Sequence, residues 1–172
     1  MFLPNGELVY RAAENGKNYI YSRQPDGSAR KKLLDRPILD LTAVSPDGRW
    51  VAVLEKDDAD KDHPYRTLAY PTGAGKPVTL CALCYLWWSF NGKYLAVQFH
   101  PPLHSVETYL LPVSAARGLP DLPPEGLSSP EDARKANRVT VLPKGADSAF
   151  VPDKYSYTIT NIRRNIYRIP IS

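Results

Sequence analysis

Two cysteines and two histidines have a spacing that could bind zinc. Cys81 and Cys84 are separated by two residues, and His100 and His104, themselves separated by three, come after fifteen more. This pattern matches a tetrahedral Cys2His2 site. A zinc finger presents both histidines from one helix, however, and the two prolines between these histidines cannot continue a helix. We therefore interpret the four residues as core or loop positions, and we expect a Cys81–Cys84 disulfide only in an oxidising compartment.

Three alternating aspartates resemble the start of a calcium-binding loop. They are Asp58, Asp60 and Asp62. Such a loop requires Gly at its sixth position and Glu at its twelfth, and here those positions hold His63 and Ala69. A lysine also lies among the carboxylates. We interpret the segment as a solvated loop between two strands and predict no cofactor.

Three arginines near the C-terminus are weak candidates for an interaction site. Arg163, Arg164 and Arg168 lie among tyrosines, and such a combination can bind RNA or an acidic partner. Solvated arginines on a strand–loop–strand segment explain the same pattern. Because the net charge of +4 is modest, a nucleic-acid partner is disfavoured.

The sequence contains no recognisable catalytic pattern. It has no Gly-x-Ser-x-Gly nucleophile turn, no phosphate-binding glycine loop and no His-Glu-x-x-His. With 43% hydrophobic and 23% charged residues, it does not read as a disordered tail, and no apolar run is long enough to span a bilayer. No signal peptide is visible, and the compartment stays unassigned. The 17 prolines and 11 tyrosines indicate a turn-rich, strand-rich protein. Because no catalytic motif is present, we expect this segment not to be an enzyme.

A tetrapeptide turn recurs along the chain. Ser45-Pro46-Asp47-Gly48 and Ser89-Phe90-Asn91-Gly92 each precede an apolar segment, as does Leu3-Pro4-Asn5-Gly6, and the glycines are 42 and 44 residues apart. Proline presets the second position of a type I turn, Asp or Asn suits the third, and Gly takes the left-handed conformation. A degenerate copy, Val151-Pro152-Asp153-Lys154, comes later. The predicted turn residues are Pro4, Asn5, Gly6, Pro46, Asp47, Gly48, Asn91 and Gly92.

Each turn would join two of four antiparallel strands in one repeat. The predicted units are residues 1–36, 37–82, 83–143 and 144–172, with an insertion at 115–137 in the third. Second strands such as Trp50–Leu54 are apolar on both faces, which favours sheets stacked face to face over one open sheet. The other predicted strands are Ile38–Val44, Leu83–Ser89 and Asp147–Val151, then Asn18–Gln24, Tyr65–Pro71, Glu107–Val113 and Asn165–Ile171, and then Arg30–Asp35, Lys76–Ala82 and Arg138–Leu142.

The repeats resemble those of TolB-like, WD-related β-propellers. The resemblance is carried by Ser45–Val53 and Trp88–Val97 and implies an all-β fold with blades of four antiparallel strands. The ending, Tyr155–Thr158 with Arg164–Pro170, and the Pro-rich segment Leu119–Leu127 resemble the last blade of propellers appended to bacterial Ser/Thr protein kinases. None of the kinase catalytic motifs is present in this chain.

The predicted strands amount to about three and a half blades. The first unit lacks its opening strand and the last lacks its closing strand, so we interpret the chain as part of a larger ring of six or seven blades. A closed four-bladed ring would require the end units to share strands. Open blade edges would favour pairing between copies or with further blades.

The insertion at residues 115–137 is the other unusual segment. Ser129 is placed to cap a short helix that begins at Pro130. The insertion either carries function or covers a blade edge.

We predict a non-catalytic scaffold that binds a protein, peptide or small ligand. The kinase resemblance implies a sensor or docking region of a larger bacterial signalling protein. The alternative is the propeller part of a hydrolase of the prolyl oligopeptidase kind.

Overall fold

The computed structural model describes residues 1–58, 60–61, 64–99, 107–143, 147–148 and 154–156. The weak interaction candidates Arg163, Arg164 and Arg168 lie outside the described residues, as do residues 151–153 of the fourth turn. In chain order the elements are β1 (Leu8–Glu14), β2 (Lys17–Arg23), β3 (Lys31–Lys32), β4 (Asp40–Val44), β5 (Trp50–Lys56), β6 (Tyr65–Pro71), β7 (Val78–Ala82), β8 (Cys84–Trp88), β9 (Tyr94–Phe99), β10 (Thr108–Pro112), α1 (Pro130–Lys135), β11 (Thr140–Leu142), β12 (Asp147–Ser148) and β13 (Tyr155–Ser156). No helix of this described part is both long and apolar enough to cross a membrane.

The strands form consecutive antiparallel sheets, each built from neighbours in the sequence. The first sheet is β1-β2-β3, the second β4-β5-β6-β7, the third β8-β9-β10-β11, and β12 pairs with β13. The prediction of an all-β fold with blades of four antiparallel strands in an incomplete ring is confirmed. The last strand of the first blade is shorter than predicted, because only Lys31 and Lys32 pair with β2.

Adjacent blades pack face to face around two apolar clusters. Val51 and Val53 of β5 pack with Val9 and Ile20 of the first blade. Ala52, between them on the same strand, belongs to the cluster shared with the third blade. Since successive side chains of a strand point to opposite faces, β5 is buried on both sides, and this is why its sequence does not alternate.

The first turn is one residue shorter than the other two. Leu3 pairs with Glu7 through its amide, whereas Ser45 pairs with Trp50 and Ser89 with Tyr94. A change of one residue reverses which side chains face the neighbouring blade. Val9, the third residue after its turn glycine, therefore faces the next blade along the chain, as does Ala52, the fourth residue after Gly48.

The insertion in the third blade is folded onto the second blade. Leu127 forms a parallel bridge with Cys81 on β7, donating to the Leu80 carbonyl and accepting from the Ala82 amide at 2.9 Å each. The chain then forms α1 and returns to the third blade as β11. The predicted cap is confirmed, since Ser129 Oγ accepts from the Asp132 amide at 3.2 Å and Pro130 begins the helix.

Candidate binding cleft

The turn at residues 45–48 is fixed by a compact set of hydrogen bonds. Ser45 Oγ donates to Asp47 Oδ1 at 2.6 Å and accepts from the Trp50 amide at 2.9 Å. Asp47 Oδ1 also accepts from the Arg49 amide at 3.0 Å. Gly48, whose amide bonds the Ser45 carbonyl, has φ of 72°, a conformation that favours glycine.

The turn of the third blade repeats this network with an amide in place of the carboxylate. Ser89 Oγ donates to Asn91 Oδ1 at 2.8 Å and accepts from the Tyr94 amide at 3.0 Å, while the Lys93 amide donates to Asn91 Oδ1 at 3.0 Å. Asp and Asn both accept hydrogen bonds from the backbone two residues on, which explains their exchange between repeats.

Consecutive turns also contact each other. A Cβ added at Gly48 would lie 2.7 Å from Pro4 Cδ, and one added at Gly92 would lie 3.8 Å from Pro46 Cβ. The proline of each turn thus packs on the glycine of the next turn along the ring. These contacts align the turns along one side of the blades.

The second turn holds the insertion through the guanidinium of Arg49. Arg49 Nη1 donates to the Ala116 carbonyl at 2.7 Å and Nη2 to the Ala115 carbonyl at 2.9 Å, while Nε donates to Asp47 Oδ2 at 2.7 Å. The planar fork of an arginine suits such multiple acceptors. One side chain therefore joins the turn of the second blade to the insertion of the third.

Two indole groups also hold the insertion, and together with Arg49 they form what we call the clamp. Trp50 Nε1 donates to the Arg117 carbonyl at 2.7 Å, and Trp88 Nε1 donates to the Gly118 carbonyl at 3.3 Å. Gly118 has φ of 72°, and an added Cβ would lie 2.8 Å from Asp47 Oδ2 and 2.9 Å from Arg49 Nη2. The four carbonyl groups of residues 115–118 are thus all bound by the clamp, which consists of Arg49, Trp50 and Trp88.

The carboxylate of Asp47 is stabilised in its ionised form. Burial by itself would raise the pKa of Asp47, but the hydrogen bond from Ser45 and those from the Arg49 amide and guanidinium outweigh that effect. The pKa of Asp47 is therefore lowered from its usual value, and the group stays charged beside Arg49 at neutral pH.

A second set of contacts anchors the insertion in the core. Leu119, Leu127 and Ala133 are buried in the cluster shared by the second and third blades. The insertion is accordingly part of the packed structure and covers the outer edge of β7, as one of the two sequence-based interpretations supposed.

An open cleft of about 630 Å³ lies between the insertion and the second blade. One wall is the connection after β6, where Thr72 Oγ1 donates to the Gly48 carbonyl at 2.8 Å. The opposite wall is the insertion, with Arg117 at the rim paired with Asp121. The larger apolar side chains of the lining are those of Trp50, Pro71, Val78, Leu119, Pro120 and Leu122.

The chemistry of this lining suits binding. Its charged side chains are those of Arg49 and Arg117, whose guanidinium groups offer hydrogen-bond donors and no acceptor. A largely apolar concave surface with a few fixed polar groups is typical of ligand sites. A second cavity of about 380 Å³ adjoins it between two turns, where Phe90 is 63% exposed.

The cysteines considered as zinc ligands form a disulfide. Cys81 and Cys84 are bonded to each other, with Cα atoms 6.1 Å apart, and they link β7 to β8 across Leu83. Their sulfurs are therefore not free thiolates, and His100 and His104 lie outside the described residues. Within the described ranges, no three His, Cys, Asp or Glu side chains are grouped as a metal site.

The aspartates considered as calcium ligands are paired with cations. Arg66 bonds Asp57 at 2.7 Å and Asp60 at 3.0 Å, and Lys56 bonds Asp58 at 2.6 Å. Asp62 lies outside the described residues. The described carboxylates thus form a salt-bridged loop between β5 and β6.

The sequence interpretation missed the clamp. The turn residues that it predicted lie beside the cleft or along the same side of the blades; they are Pro4, Asn5, Gly6, Pro46, Asp47, Gly48, Asn91 and Gly92. Of the residues that bind the insertion, Arg49 and Trp50 come directly after the turn at 45–48, and Trp88 comes directly before the turn at 89–92. Arg49-Trp50, where the third unit has Lys93-Tyr94, was the available signal.

Comparison with known proteins bears on the fold. No protein-family model and no curated protein matches the chain. Among solved structures, TolB from Acinetobacter baumannii is similar, with a TM-score of 0.54 and 16% sequence identity. The match covers 86% of this chain and 32% of that one, so the chain spans about a third of the length of the TolB chain. This similarity supports a TolB-like β-propeller fold.

Proposed function

We propose that this propeller segment is a non-catalytic interaction module that binds an extended peptide segment of a protein partner in the cleft. The observation that carries the proposal is the preformed apolar cleft whose two walls are joined by the clamp. Because its walls are already held in place, a partner would not have to order them on binding. The lining offers apolar contacts and two guanidinium groups, and no His, Asp, Glu, Lys, Cys or Tyr side chain that could act as a general acid or base is among its residues.

The test is selection of peptides from a displayed random library on the folded chain. Ala74 is exposed at the cleft, and Ala74→Trp would place a bulky indole group there and narrow it. Ala13 is exposed on β1 in the first blade, so Ala13→Trp is a matched control. We expect enriched peptides to bind the wild type and Ala13→Trp alike and to lose at least about tenfold in affinity for Ala74→Trp. Equal binding to all three would refute the proposal.

A second, more specific proposal concerns the larger protein to which this segment belongs. We infer a sensor or docking region of a bacterial signalling protein such as a Ser/Thr kinase, on the resemblance of Arg164–Pro170 to the last blade of such propellers. The alternative is a hydrolase of the prolyl oligopeptidase kind. Sequencing the open reading frame around this segment distinguishes them, because a kinase domain supports the first and a hydrolase domain the second.

A further inference from the structure

The carbonyl groups around the cleft are largely occupied. Those of residues 115–118 accept hydrogen bonds from the clamp, and the Leu119 carbonyl accepts one from the Ser114 amide at 3.0 Å. On the side of the second blade, the Arg49 carbonyl accepts from the Thr72 amide at 2.9 Å. Among the described residues of the lining, the only side-chain oxygen is Thr72 Oγ1, which already donates to a carbonyl of the turn. An N–H group that enters the cleft therefore meets few open acceptors.

The same cleft keeps hydrogen-bond donors in reserve. Arg49 bonds two carbonyls and one carboxylate, and Arg117 bonds the carboxylate of Asp121. A guanidinium group carries more N–H donors than these contacts use, and it has no acceptor. The two side chains are 43% and 54% exposed, so a ligand can reach them. The polar groups that the lining offers are thus mainly donors.

The positive charge of these donors is already balanced. Arg49 Nε lies 2.7 Å from Asp47 Oδ2, and Arg117 is paired with Asp121. An acidic peptide would bring further carboxylates close to these two, and like charges repel each other. The arginines are therefore better suited to neutral acceptors, such as the carbonyl groups of a peptide backbone.

The strand edge beside the insertion is closed at Cys81. Leu127 donates to the Leu80 carbonyl, and its own carbonyl accepts from the Ala82 amide, both at 2.9 Å. A peptide that extended the second sheet as a further strand would need these same groups of β7. Binding through paired backbone N–H and carbonyl groups is thus disfavoured at this edge.

We propose that the peptide segment bound in the cleft is rich in proline and binds as a polyproline II helix. Prolyl residues have a carbonyl acceptor and no N–H, which complements a lining of donors with few open acceptors. Their rings suit an apolar wall that includes Trp50, whose indole N–H is bound to the Arg117 carbonyl. A polyproline II helix is largely preformed, so it loses little conformational freedom on binding. The inference rests on the proposed function, since it names the chemistry of the peptide for the same cleft.

The test is a parallel selection from two displayed peptide libraries on the folded chain. Both have peptides of about twelve residues that are random at alternate positions, with proline fixed between them in one library and alanine in the other. We expect the proline library to yield the tighter binders. Their affinity should fall at least about tenfold for Ala74→Trp and stay unchanged for Ala13→Trp.

A second measurement isolates the role of the missing N–H groups. In an enriched peptide, the prolines are replaced either by alanine, which restores the N–H, or by N-methylalanine, which lacks both the N–H and the ring. We expect the alanine peptide to lose about tenfold or more in affinity and the N-methylalanine peptide to lose clearly less. An equal loss for both replacements would contradict the argument from the occupied acceptors.

The outcomes separate this inference from the proposed function. Binders of equal or higher affinity from the alanine library that are weakened by Ala74→Trp would refute the preference for proline and leave the cleft as a peptide site. Proline-rich binders that are insensitive to Ala74→Trp bind elsewhere and would refute the inference. Binders from neither library that depend on the cleft would refute both.

Discussion

At the scale of single residues, the second repeat differs from the others in the two residues directly after its turn glycine. Arg49 and Trp50 both donate to carbonyl groups of the insertion, more than sixty residues away in the chain. The corresponding residues of the third unit, Lys93 and Tyr94, lack both the guanidinium fork and the indole N–H. The clamp is therefore a property of side-chain type at two positions within a repeated backbone.

The clamp requires glycine at position 118. We expect Gly118→Ala to destabilise the protein by about 1–3 kcal/mol, because it combines a left-handed φ with a close approach to Asp47 and Arg49. Urea denaturation of both variants measures this. Gly73→Ala is the control, since its added Cβ would meet nothing within 4 Å. A loss as large in the control would contradict the account.

Asp47 should make stability depend on pH. The pKa of Asp47 is lowered in the folded state, so its contribution is complete above the pKa of the unfolded chain and is lost as pH falls through the folded value. Asp47→Asn, the residue type found at positions 5 and 91, keeps the turn and removes the ion pair with Arg49. We expect the wild type to be more stable at neutral pH and this difference to shrink below about pH 4. Denaturation midpoints over this range test it, and a constant difference would contradict it.

At the scale of elements, the insertion covers an exposed strand edge of the second blade. Its bridge from Leu127 to Cys81 occupies the outer edge of β7, which would otherwise expose unpaired amides and carbonyls. At the same place the disulfide joins β7 to β8 and so constrains the connection from the second blade to the third. The strand that the insertion covers and the strand that the disulfide links to the next blade are therefore the same, and both contacts are made at Cys81.

Loss of the buried anchor should loosen the insertion. Leu127→Ala removes a side chain that is 1% exposed, and we expect a cost of about 2–5 kcal/mol. Trypsin cleavage after Arg117 and Arg134 should accelerate, because the segment opens more often. Val141→Ala, at a site 38% exposed on β11, is the control. Unchanged cleavage in Leu127→Ala would show that the insertion is held by other contacts.

At the scale of the molecule, local signals predicted the blades and failed at contacts between distant segments. The third strand of the second unit, Tyr65–Pro71, matches its prediction, since its turns and apolar pattern lie close to it in the chain. The placement of Leu127 beside Cys81 depends on a pairing 46 residues apart that no local pattern encodes. Val9 faces the second blade because the first turn is one residue shorter than the other two. The repeated Pro-Asp-Gly sequence by itself did not reveal this difference in length.

The most direct test of the proposed function is to locate a bound peptide on the molecule. Amide hydrogen exchange is measured on the folded chain with and without a peptide enriched by the selection. We expect slower exchange at residues 72–78 and 116–122, the two walls of the cleft, and little change in the first blade. Protection confined to the first blade, or the same protection in Ala74→Trp, would contradict the assignment of the cleft as the binding site.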